Sequence, residues 1–349
     1  MSHPYANLPQ TAFWKTGVDQ ADRGSFPGLY DPKVRIGPET RVATAGSCFA
    51  QHIGRRLRAL GLKLLDAEPA PGVMSDALAA AHGYRLFSGR WGNIYTARQM
   101  RQLLTEIAEG RAEARFVWRD GARYRDAFRP NVEPDGLGTV EEVLLHRDYH
   151  LERSLRMLRD ADVFIFTLGL TEAWADRDTG RVFPLCPGVS GGRYDPAEHM
   201  FLNFRHGEVL DDLHAIRALL HRFNPHMQMI LTVSPVPLTA TATGNHVLNA
   251  TSWSKATLRG AVGEFVAEFD DADYMPSYEI ITQPASGGPW FAPNMRSVTD
   301  DGVAKVMAIF EAAHGLTEPQ TAQEPPPETD EGESDEFCDD ILLQAFAGS

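Results

Sequence analysis

Ser47 and Cys48 are adjacent potential nucleophiles at the point where a strand is expected to end and a helix to begin. They follow a short apolar run and Gly46 in the stretch VATAGSCFAQHIGRRL, whose later apolar residues have helical spacing. A nucleophile at such a junction lies beside the N–H groups of a helix N-terminus, which lower the pKa of a thiol and stabilise an oxyanion. A glycine turn with serine as the helix cap has the same pattern, so these residues alone leave both interpretations open.

The composition is that of a globular protein with an acidic tail. The chain has 349 residues, 43% of them hydrophobic and 23% charged, which permits one large or two ordinary domains. The net charge is −14, but residues 318–340 hold ten acidic residues and no Lys or Arg, which leaves only −4 for the rest. A nearly neutral body argues against a nucleic-acid surface. Since no apolar run is long enough for a membrane helix and no signal-peptide pattern is present, neither nucleic acid nor membrane is an expected partner and the cytoplasm is the expected location.

The cysteines do not form a recognisable framework. Cys48, Cys186 and Cys338 have no paired spacing, which argues against a disulfide framework and against a zinc ribbon. No cluster of His, Cys and carboxylate residues has the spacing of metal ligands. We therefore expect neither a metal nor a cofactor.

Apolar strands alternate with amphipathic helices along most of the chain. This alternation predicts an α/β fold in which a parallel sheet is covered by helices on both faces. Ligands of such sheets bind beyond the carboxyl ends of the strands, where Cys48, Gly169, Ser234 and Glu279 are expected to lie. The predicted strands are 41–46, 62–69, 160–169, 227–235 and 272–281, and the predicted helices run from the end of the first strand to about 60, then over 208–225, 254–269 and 299–315.

Composition also divides the chain into segments. Residues 1–40 are predicted to form an N-terminal arm packed on the body, and residues 41–315 the α/β domain, with an insertion at about 70–150. The Pro- and Glu-rich segment 316–336 cannot bury enough apolar surface to offset its ordering entropy, which predicts a disordered acidic linker. Residues 337–349 predict a short amphipathic helix that docks on its own domain, binds a protein partner or frays.

Six blocks of this sequence, in order, resemble the GSCFA family. That family is similar to the SGNH or GDSL-like hydrolases, so the resemblance implies a three-layer α/β/α sandwich with a central, mostly parallel, flavodoxin-like sheet. It also implies a nucleophile after the first strand, with oxyanion donors from a Gly and an Asn, although a fold alone does not decide chemistry. The blocks are GSCFA (46–50), GNIYTARQ (92–99), FTLGLTEAW (166–174), LTVSPVPL (231–238), SKATLR (254–259) and PSYEII (276–281).

The resemblance carries roles onto individual residues. The GDSL nucleophile motif, overlaid on GSCF, places Cys48 on the nucleophilic serine and leaves Ser47 as the second choice. A cysteine needs less activation than a serine because some of it is already thiolate at neutral pH. Thr171 stands where the SGNH hydrolases have the donor Asn. The residues expected to bind the oxyanion or the substrate are Gly92, Asn93, Gly169, Thr171, Glu172, Ser234 and Tyr278.

The resemblance fails at the expected general base. Where related proteins have Asp-x-x-His, this chain has Asn294 and Ser297. A triad needs an imidazole near the nucleophile, so either another histidine serves or the site is not a hydrolase. His246 is the first choice, with Glu279 expected to orient it or to bind substrate. The other candidates are His150, His199 and His206.

Two cations of the SKATLR block, Lys255 and Arg259, lie one turn apart near a predicted helix start. Such a pair can hold a phosphate or a carboxylate. Solvation at the surface is nevertheless their expected role.

Together these residues support two functions of different classes. The resemblance implies an acyl-ester hydrolase or O-acyltransferase that works through a covalent acyl-enzyme, with a small-molecule or saccharide ester such as an O-acetylated saccharide as substrate. The loss of Asp-x-x-His instead favours a catalytically degenerate module that binds a glycan, a peptide or a protein partner.

Overall fold

The computed structural model describes residues 3–21, 26–110, 112–316 and 339–346. The predicted linker 316–336 therefore lies outside the described residues except for its first residue. None of the helices in the described ranges is long and apolar enough to cross a membrane.

Strands and helices alternate along the chain, as the apolar periodicity predicts. The strands are β1 (Val42–Gly46), β2 (Val117–Asp120), β3 (Arg123–Asp126), β4 (Val163–Leu168), β5 (Glu172–Asp176), β6 (Val182–Phe183), β7 (His199–Asn203), β8 (Gln228–Val233) and β9 (Ala272–Tyr274). The helices are α1 (Ala50–Ala59), α2 (Asp76–Ala81), α3 (Ala97–Glu109), α4 (Val140–Asp160), α5 (His206–Phe223), α6 (Val247–Glu268), α7 (Ser277–Thr282) and α8 (Asp300–His314), and a 3-10 helix spans Asp339–Phe346.

Four strands form a parallel sheet in the order β1-β4-β8-β9. Leu64 adds a single parallel bridge to Val42 of β1. If Leu64 is counted as the second strand along the chain, the order is 2-1-3-4-5, which is the flavodoxin-like order. The predicted α/β/α sandwich with a central parallel sheet is confirmed.

Alternate residues of β4 face two separate cores. Val163 and Ile165 pack with residues of α1 and α8, whereas Phe164, Phe166 and Leu168 pack with residues of α5 and α6. All six residues of β4 are buried. A strand covered on both faces explains the unbroken apolar run in the sequence.

Two predicted strands differ from the structure. The segment 62–69 contributes only the bridge at Leu64, and Ala67 donates its N–H outside the sheet, to the carbonyl of Ser88. The segment 272–281 divides into β9 and α7. Pro276 separates the two because it has no N–H with which to continue a strand ladder.

A second sheet, which the sequence analysis does not predict, follows β4. It is antiparallel, in the order β6-β5-β7. Its strands are short, and β5 (EAWAD) mixes apolar residues with acidic ones instead of forming an apolar run. Because β5 begins four residues after the end of β4, this sheet lies beyond the carboxyl end of the parallel sheet.

Buried ion pairs hold the insertion at about 70–150. Arg147 of α4 donates to Glu106 of α3 at 2.7 Å and to Asp126 of β3 at 3.3 Å. Burial raises the pKa of Asp126, but the guanidinium groups of Arg147 and Arg129 lower it by more, so this carboxylate is charged in the fold. Buried charges are stable only when paired in this way.

Residues 30–36 pack on the body through alternate side chains. Tyr30, Val34 and Ile36 are buried, whereas Lys33 and Arg35 between them are exposed. The backbone N–H of Ile36 also donates to Nδ1 of His314, at the end of α8, at 3.2 Å. Burial first, and the charge of Arg35 second, lower the pKa of His314 to about 4.

This histidine predicts an acid-sensitive fold. Unfolded His314 binds a proton near pH 6.5, whereas folded His314 stays neutral down to about pH 4. Lowering the pH through this window is therefore expected to reduce the free energy of unfolding by up to about 3 kcal/mol. Urea titrations of wild type and His314→Phe between these pH values measure the effect. Phenylalanine keeps the ring contacts and removes the titration, so a slope against pH as steep as that of wild type would contradict the assignment.

Candidate functional site

The turn after β1 presents the two candidate nucleophiles at the carboxyl edge of the sheet. The N–H of Ser47 donates to the carbonyl of Thr167 in β4 at 3.1 Å. The carbonyls of Ser47 and Cys48 accept from Ala50 and Gln51, both at 2.9 Å, as the chain enters α1. Both nucleophiles are thereby placed before the N-terminus of a ten-residue helix.

Only glycine fits immediately before this turn. Gly46 has a φ of +145°, and a Cβ there would lie 2.5 Å from the carbonyl oxygen of Thr167. The first glycine of the GSCFA block therefore has a steric role: it lets the two strands stay paired up to the nucleophile turn.

The two nucleophiles are in different chemical states. Both are 2% exposed. Ser47 Oγ has no hydrogen-bond partner among the described residues, whereas Cys48 is disulfide-bonded. Cys186 is a free thiol whose pKa burial raises to about 11. Cys338 lies outside the described residues.

The sequence analysis does not predict the disulfide at Cys48. Cysteine spacing, which argues against a disulfide framework, detects only closely spaced pairs. The bond at Cys48 is not of that kind: no other cysteine lies in the described stretch between Cys48 and Cys186. A disulfide forms only between cysteines that the fold brings close together, so sequence spacing does not decide the pairing.

The GNIYTARQ block crosses the ends of two strands at this turn. Ile94 donates its N–H to the carbonyl of Gly46 at 2.9 Å. The N–H groups of Gly169 and Leu170, after β4, donate to the carbonyl of Tyr95 at 2.8 and 3.1 Å. The blocks GNIYTARQ and FTLGLTEAW, which are far apart in the sequence, therefore meet at the nucleophile turn.

Gly92 and Asn93, the predicted oxyanion donors of this block, precede these contacts directly. Asn93 is 2% exposed, its side-chain oxygen accepts from Gln51 of α1 at 3.5 Å, and its carbonyl accepts from Gln99 at 3.0 Å. The structure brings both residues to the nucleophile turn. Their role as donors stays a prediction.

The turn after β4 packs against Ser47 on one side. On the other side, a buried lysine donates a hydrogen bond to it. A Cβ on Gly169 would lie 2.9 Å from the Cβ of Ser47. Lys255 of α6 is 2% exposed and donates from Nζ to the carbonyl of Gly169 at 2.5 Å. The expectation of a solvated Lys255 is therefore wrong, because α6 begins before the predicted residue 254 and its middle, where Lys255 lies, packs onto the sheet edge.

Thr171 is buried and its polar groups are used within the protein. Its hydroxyl donates to Oδ1 of Asn203 at 2.7 Å, and its N–H donates to Oγ of Ser254 at 3.0 Å. The sequence analysis assigned no role to Asn203 or Ser254, although Ser254 opens the SKATLR block. Thr171 as an oxyanion donor stays a prediction, and it requires the hydroxyl to turn away from Asn203.

Glu172 and Glu279, the two predicted carboxylates, bind other parts of the edge. Glu172 accepts from the hydroxyl of Thr241 at 2.6 Å and so holds the loop after β8. Glu279 accepts from Arg259 at 2.5 Å and from the hydroxyl of Tyr274 at 2.7 Å. The ion pair engages Arg259, which was expected to be solvated, and Glu279 makes no hydrogen bond or ion pair with a described histidine.

Ser234 and Tyr278 complete the predicted set. Ser234, just after β8, is 1% exposed, and its Oγ accepts from the N–H of Val236 at 3.3 Å. Tyr278 lies in the first turn of α7, not on a strand as predicted, and its ring packs against the core. Both residues lie at the carboxyl edge of the sheet, where Ser234 hydrogen-bonds to the backbone and Tyr278 packs in the core.

The predicted histidine bases lie apart from one another. His246 is exposed and caps α6, its Nδ1 accepting from the N–H of Leu248 at 3.2 Å. His150 is fully buried against Glu68, at 2.5 Å, and burial, with Arg129 second, lowers its pKa to about 4.

The two remaining candidates, His199 and His206, are occupied elsewhere. His199 lies in β7 with its ring against Tyr194, and Nε2 of His206 lies 3.3 Å from Glu264. No described histidine hydrogen-bonds to Ser47 Oγ. The described residues also include no group of three or more potential metal ligands.

One histidine close to the nucleophiles is absent from the predicted set. His52 lies in the first turn of α1, four residues after Cys48, and is 8% exposed. Its ring is 5.6 Å from the ring of Phe49. The signal was present in the sequence as Cys-x-x-x-His, with Cys48 just before the predicted helix and His52 near its start.

Comparisons with known proteins identify the family and similar structures. Residues 41–310 match the model of the GSCFA family. No curated protein matches the chain.

Two solved structures are similar to parts of this chain. A carbohydrate esterase family 2 enzyme with a carbohydrate binding domain, from Corynascus thermopiles (Myceliophthora fergusii), is 15% identical to it with a TM-score of 0.24, over 45% of this chain and 37% of that one. An acetyl xylan esterase (Est2A) from the rumen bacterium Butyrivibrio proteoclasticus is 10% identical with a TM-score of 0.30, over 81% of this chain and 66% of that one.

Both likenesses span less than two thirds of the solved chain. At such identities and TM-scores they do not assign an activity to this protein, since one fold hosts many functions.

Proposed function

This chain belongs to the GSCFA family, and on that premise we propose that it is an acyl-ester hydrolase or O-acyltransferase that acts through an acyl-enzyme on Cys48. The observation that carries the proposal is the nucleophile turn. Cys48 lies between the carboxyl end of β1 and the N-terminus of α1, and the block that includes Gly92 and Asn93 contacts this turn through the hydrogen bond from Ile94 to Gly46. An O-acetylated saccharide is one substrate of this class.

The disulfide makes reduction the first step. A dithiol passes two electrons and two protons to the disulfide of Cys48 and becomes a disulfide itself, which leaves Cys48 as a thiol. The N-terminus of α1 favours the thiolate, because the helix dipole stabilises negative charge there.

The chemistry then follows thiol acylation. The Cys48 thiolate attacks the ester carbonyl carbon, a C–S bond forms, and the negative charge moves to the carbonyl oxygen. N–H groups of the nucleophile turn and of Gly92 are the proposed donors to this oxyanion. The C–O bond then breaks, and the alcohol leaves with the proton taken from the thiol. Water or a second alcohol attacks the thioester, and the sulfur leaves as thiolate.

His52 is the proposed base that accepts and returns this proton. It follows Cys48 by four residues and is largely shielded from solvent, so its imidazole does not depend on a distant loop for its position. His246, the first choice from the sequence, caps α6 with the ring nitrogen that accepts from Leu248. It is therefore the second choice here.

One observation favours a non-catalytic binding module instead. The carboxylate of Glu279 is engaged by Arg259 and Tyr274, and the hydroxyl of Thr171 by Asn203. Polar groups satisfied in this way stabilise the edge and are not poised for chemistry. Under this alternative, the same edge binds a glycan, a peptide or a protein partner.

Intact-protein mass spectrometry after exposure to p-nitrophenyl acetate tests the proposal. Wild type, Cys48→Ala, Ser47→Ala and Cys186→Ala are each treated with and without dithiothreitol. We expect one acetyl group on wild type only after reduction, and none on Cys48→Ala. The Cys186→Ala variant is the matched control. It should acquire the acetyl group as wild type does, because the raised pKa of the half-buried Cys186 thiol makes it a poor nucleophile.

Other patterns would assign the site differently. An adduct that forms without reduction and disappears in Ser47→Ala would make Ser47 the nucleophile. The absence of any adduct on folded, reduced protein would overturn the enzyme proposal in favour of the binding module.

A further inference from the structure

A cavity of about 510 Å³ opens next to the nucleophile turn. It lies between β5, β7 and the loop that follows β8. Its inner end is formed by Tyr95 and Leu170, which hydrogen-bond to each other beside Gly169 and hence beside Ser47. A group bound in this cavity would extend away from the nucleophile turn.

Aromatic rings form one wall of this cavity. The Trp174 ring of β5 lies 5.5 Å from that of Phe201 in β7 and 5.2 Å from that of Tyr194, and all three residues line the cavity. Leu185 and Leu238 contribute aliphatic surface. The described lining is thus dominated by carbon atoms, as in pockets that bind apolar ligands.

Two polar side chains of the lining, the carboxylate of Glu172 and the thiol of Cys186, already have partners within the protein. The carboxylate of Glu172 accepts from the hydroxyl of Thr241 and from the N–H of Ala242 at 3.1 Å. The thiol of Cys186 donates to the carbonyl of Pro187 at 3.6 Å. A sugar ring would bring hydroxyl groups that need partners here, and burying hydroxyls without partners is unfavourable.

The chain itself places an aliphatic side chain against this cavity. Leu343, in the 3-10 helix Asp339–Phe346, is half-buried and is one of the lining residues. The described part of the C-terminal segment therefore contacts its own domain here, through a branched hydrocarbon. The cavity wall therefore packs against a saturated hydrocarbon group in the protein itself.

We infer that this cavity binds the linear aliphatic acyl chain of the ester substrate. The inference rests on the proposed function and deepens it, because it makes esters of medium-chain acids better substrates than acetate esters. It places the preferred substrate outside the O-acetylated saccharides.

Calorimetric titration with octanoate measures this binding without any catalysis. Wild type is expected to bind octanoate and not acetate. Ala240→Trp fills the cavity from its exposed rim and is expected to weaken octanoate binding by at least about tenfold, since the loss of two buried methylene contacts alone corresponds to that factor. Ala267→Trp, at an exposed position on α6 away from the cavity, is the matched control and should bind as wild type does.

A second assay separates this inference from the proposed function. Reduced protein is incubated with p-nitrophenyl acetate or p-nitrophenyl octanoate, and intact-protein mass spectrometry measures which acyl group it carries. Octanoate binding that Ala240→Trp weakens, without any acyl adduct, would support the cavity and overturn the enzyme. An acetyl adduct with no measurable octanoate binding, or equal binding by Ala240→Trp and Ala267→Trp, would overturn the cavity assignment and leave the enzyme in place.

Discussion

Replacing His52 by alanine is expected to slow the acylation of reduced Cys48 by about 10²–10⁴-fold, the usual contribution of a positioned general base. His52 follows Cys48 by four residues and is 8% exposed, so water does not readily replace it as the proton acceptor. Alanine is the best helix former, so α1 is expected to persist in the variant. The loss should therefore be one of chemistry and not of fold.

Stopped-flow release of p-nitrophenolate by protein reduced with dithiothreitol measures this rate. His246→Ala is the matched control and is expected to react at the rate of wild type, because His246 is exposed and caps α6. Added imidazole should restore part of the rate to His52→Ala. Equal rates for His52→Ala and wild type would refute His52 as the base, and a loss confined to His246→Ala would assign that role to His246.

Replacing Gly46 by alanine is expected to lower the free energy of unfolding by about 2–6 kcal/mol, the sum of backbone strain and overpacking. The backbone at Gly46 has a φ of +145°, and its Cβ would lie 2.5 Å from the carbonyl oxygen of Thr167. That oxygen also accepts the N–H of Ser47, so relief of the clash has to move the nucleophile turn. We expect Cys48 acylation to decline together with stability.

Gly61→Ala is the control that separates the clash with the Thr167 carbonyl oxygen from the strain of a positive φ. Gly61 also has a positive φ, of +70°, but no atom lies within 4 Å of its virtual Cβ. Its replacement should cost only the strain of a left-handed backbone, about 1–2 kcal/mol. Urea denaturation of both variants measures the difference. Equal losses would mean that the contact with Thr167 contributes nothing.

The buried strands were predictable because their signal is local. A strand covered on both faces needs an apolar residue at every position, and the segment VFIFTL of β4 shows this in the sequence alone. The helices α5 and α8 lie close to their predicted ranges for a similar reason, since one apolar face repeats every turn. The β5 segment has no such signal, because its pattern is mixed and its partner β7 begins 23 residues after β5 ends, at the pair Asp176–His199.

The site was predictable in outline and not in its contacts. The carboxyl ends of parallel strands share one edge, so the meeting of Gly46, Gly169 and Ser234 follows from the strand pattern. The burial of Lys255 under the turn at Gly169 does not follow, because it depends on how α6 packs on that edge. His52 was within reach of sequence reasoning through its spacing from Cys48.

The sequence by itself determined the parallel sheet, the nucleophile turn and the family, because each depends on residues close together in the chain. Only the tertiary structure decided which groups those residues meet. It places Cys48 in a disulfide, gives Glu279 an arginine partner in Arg259, and sets Leu343 against an apolar cavity. Such contacts join residues far apart in sequence, and they form only because burial of the apolar faces brings those segments together.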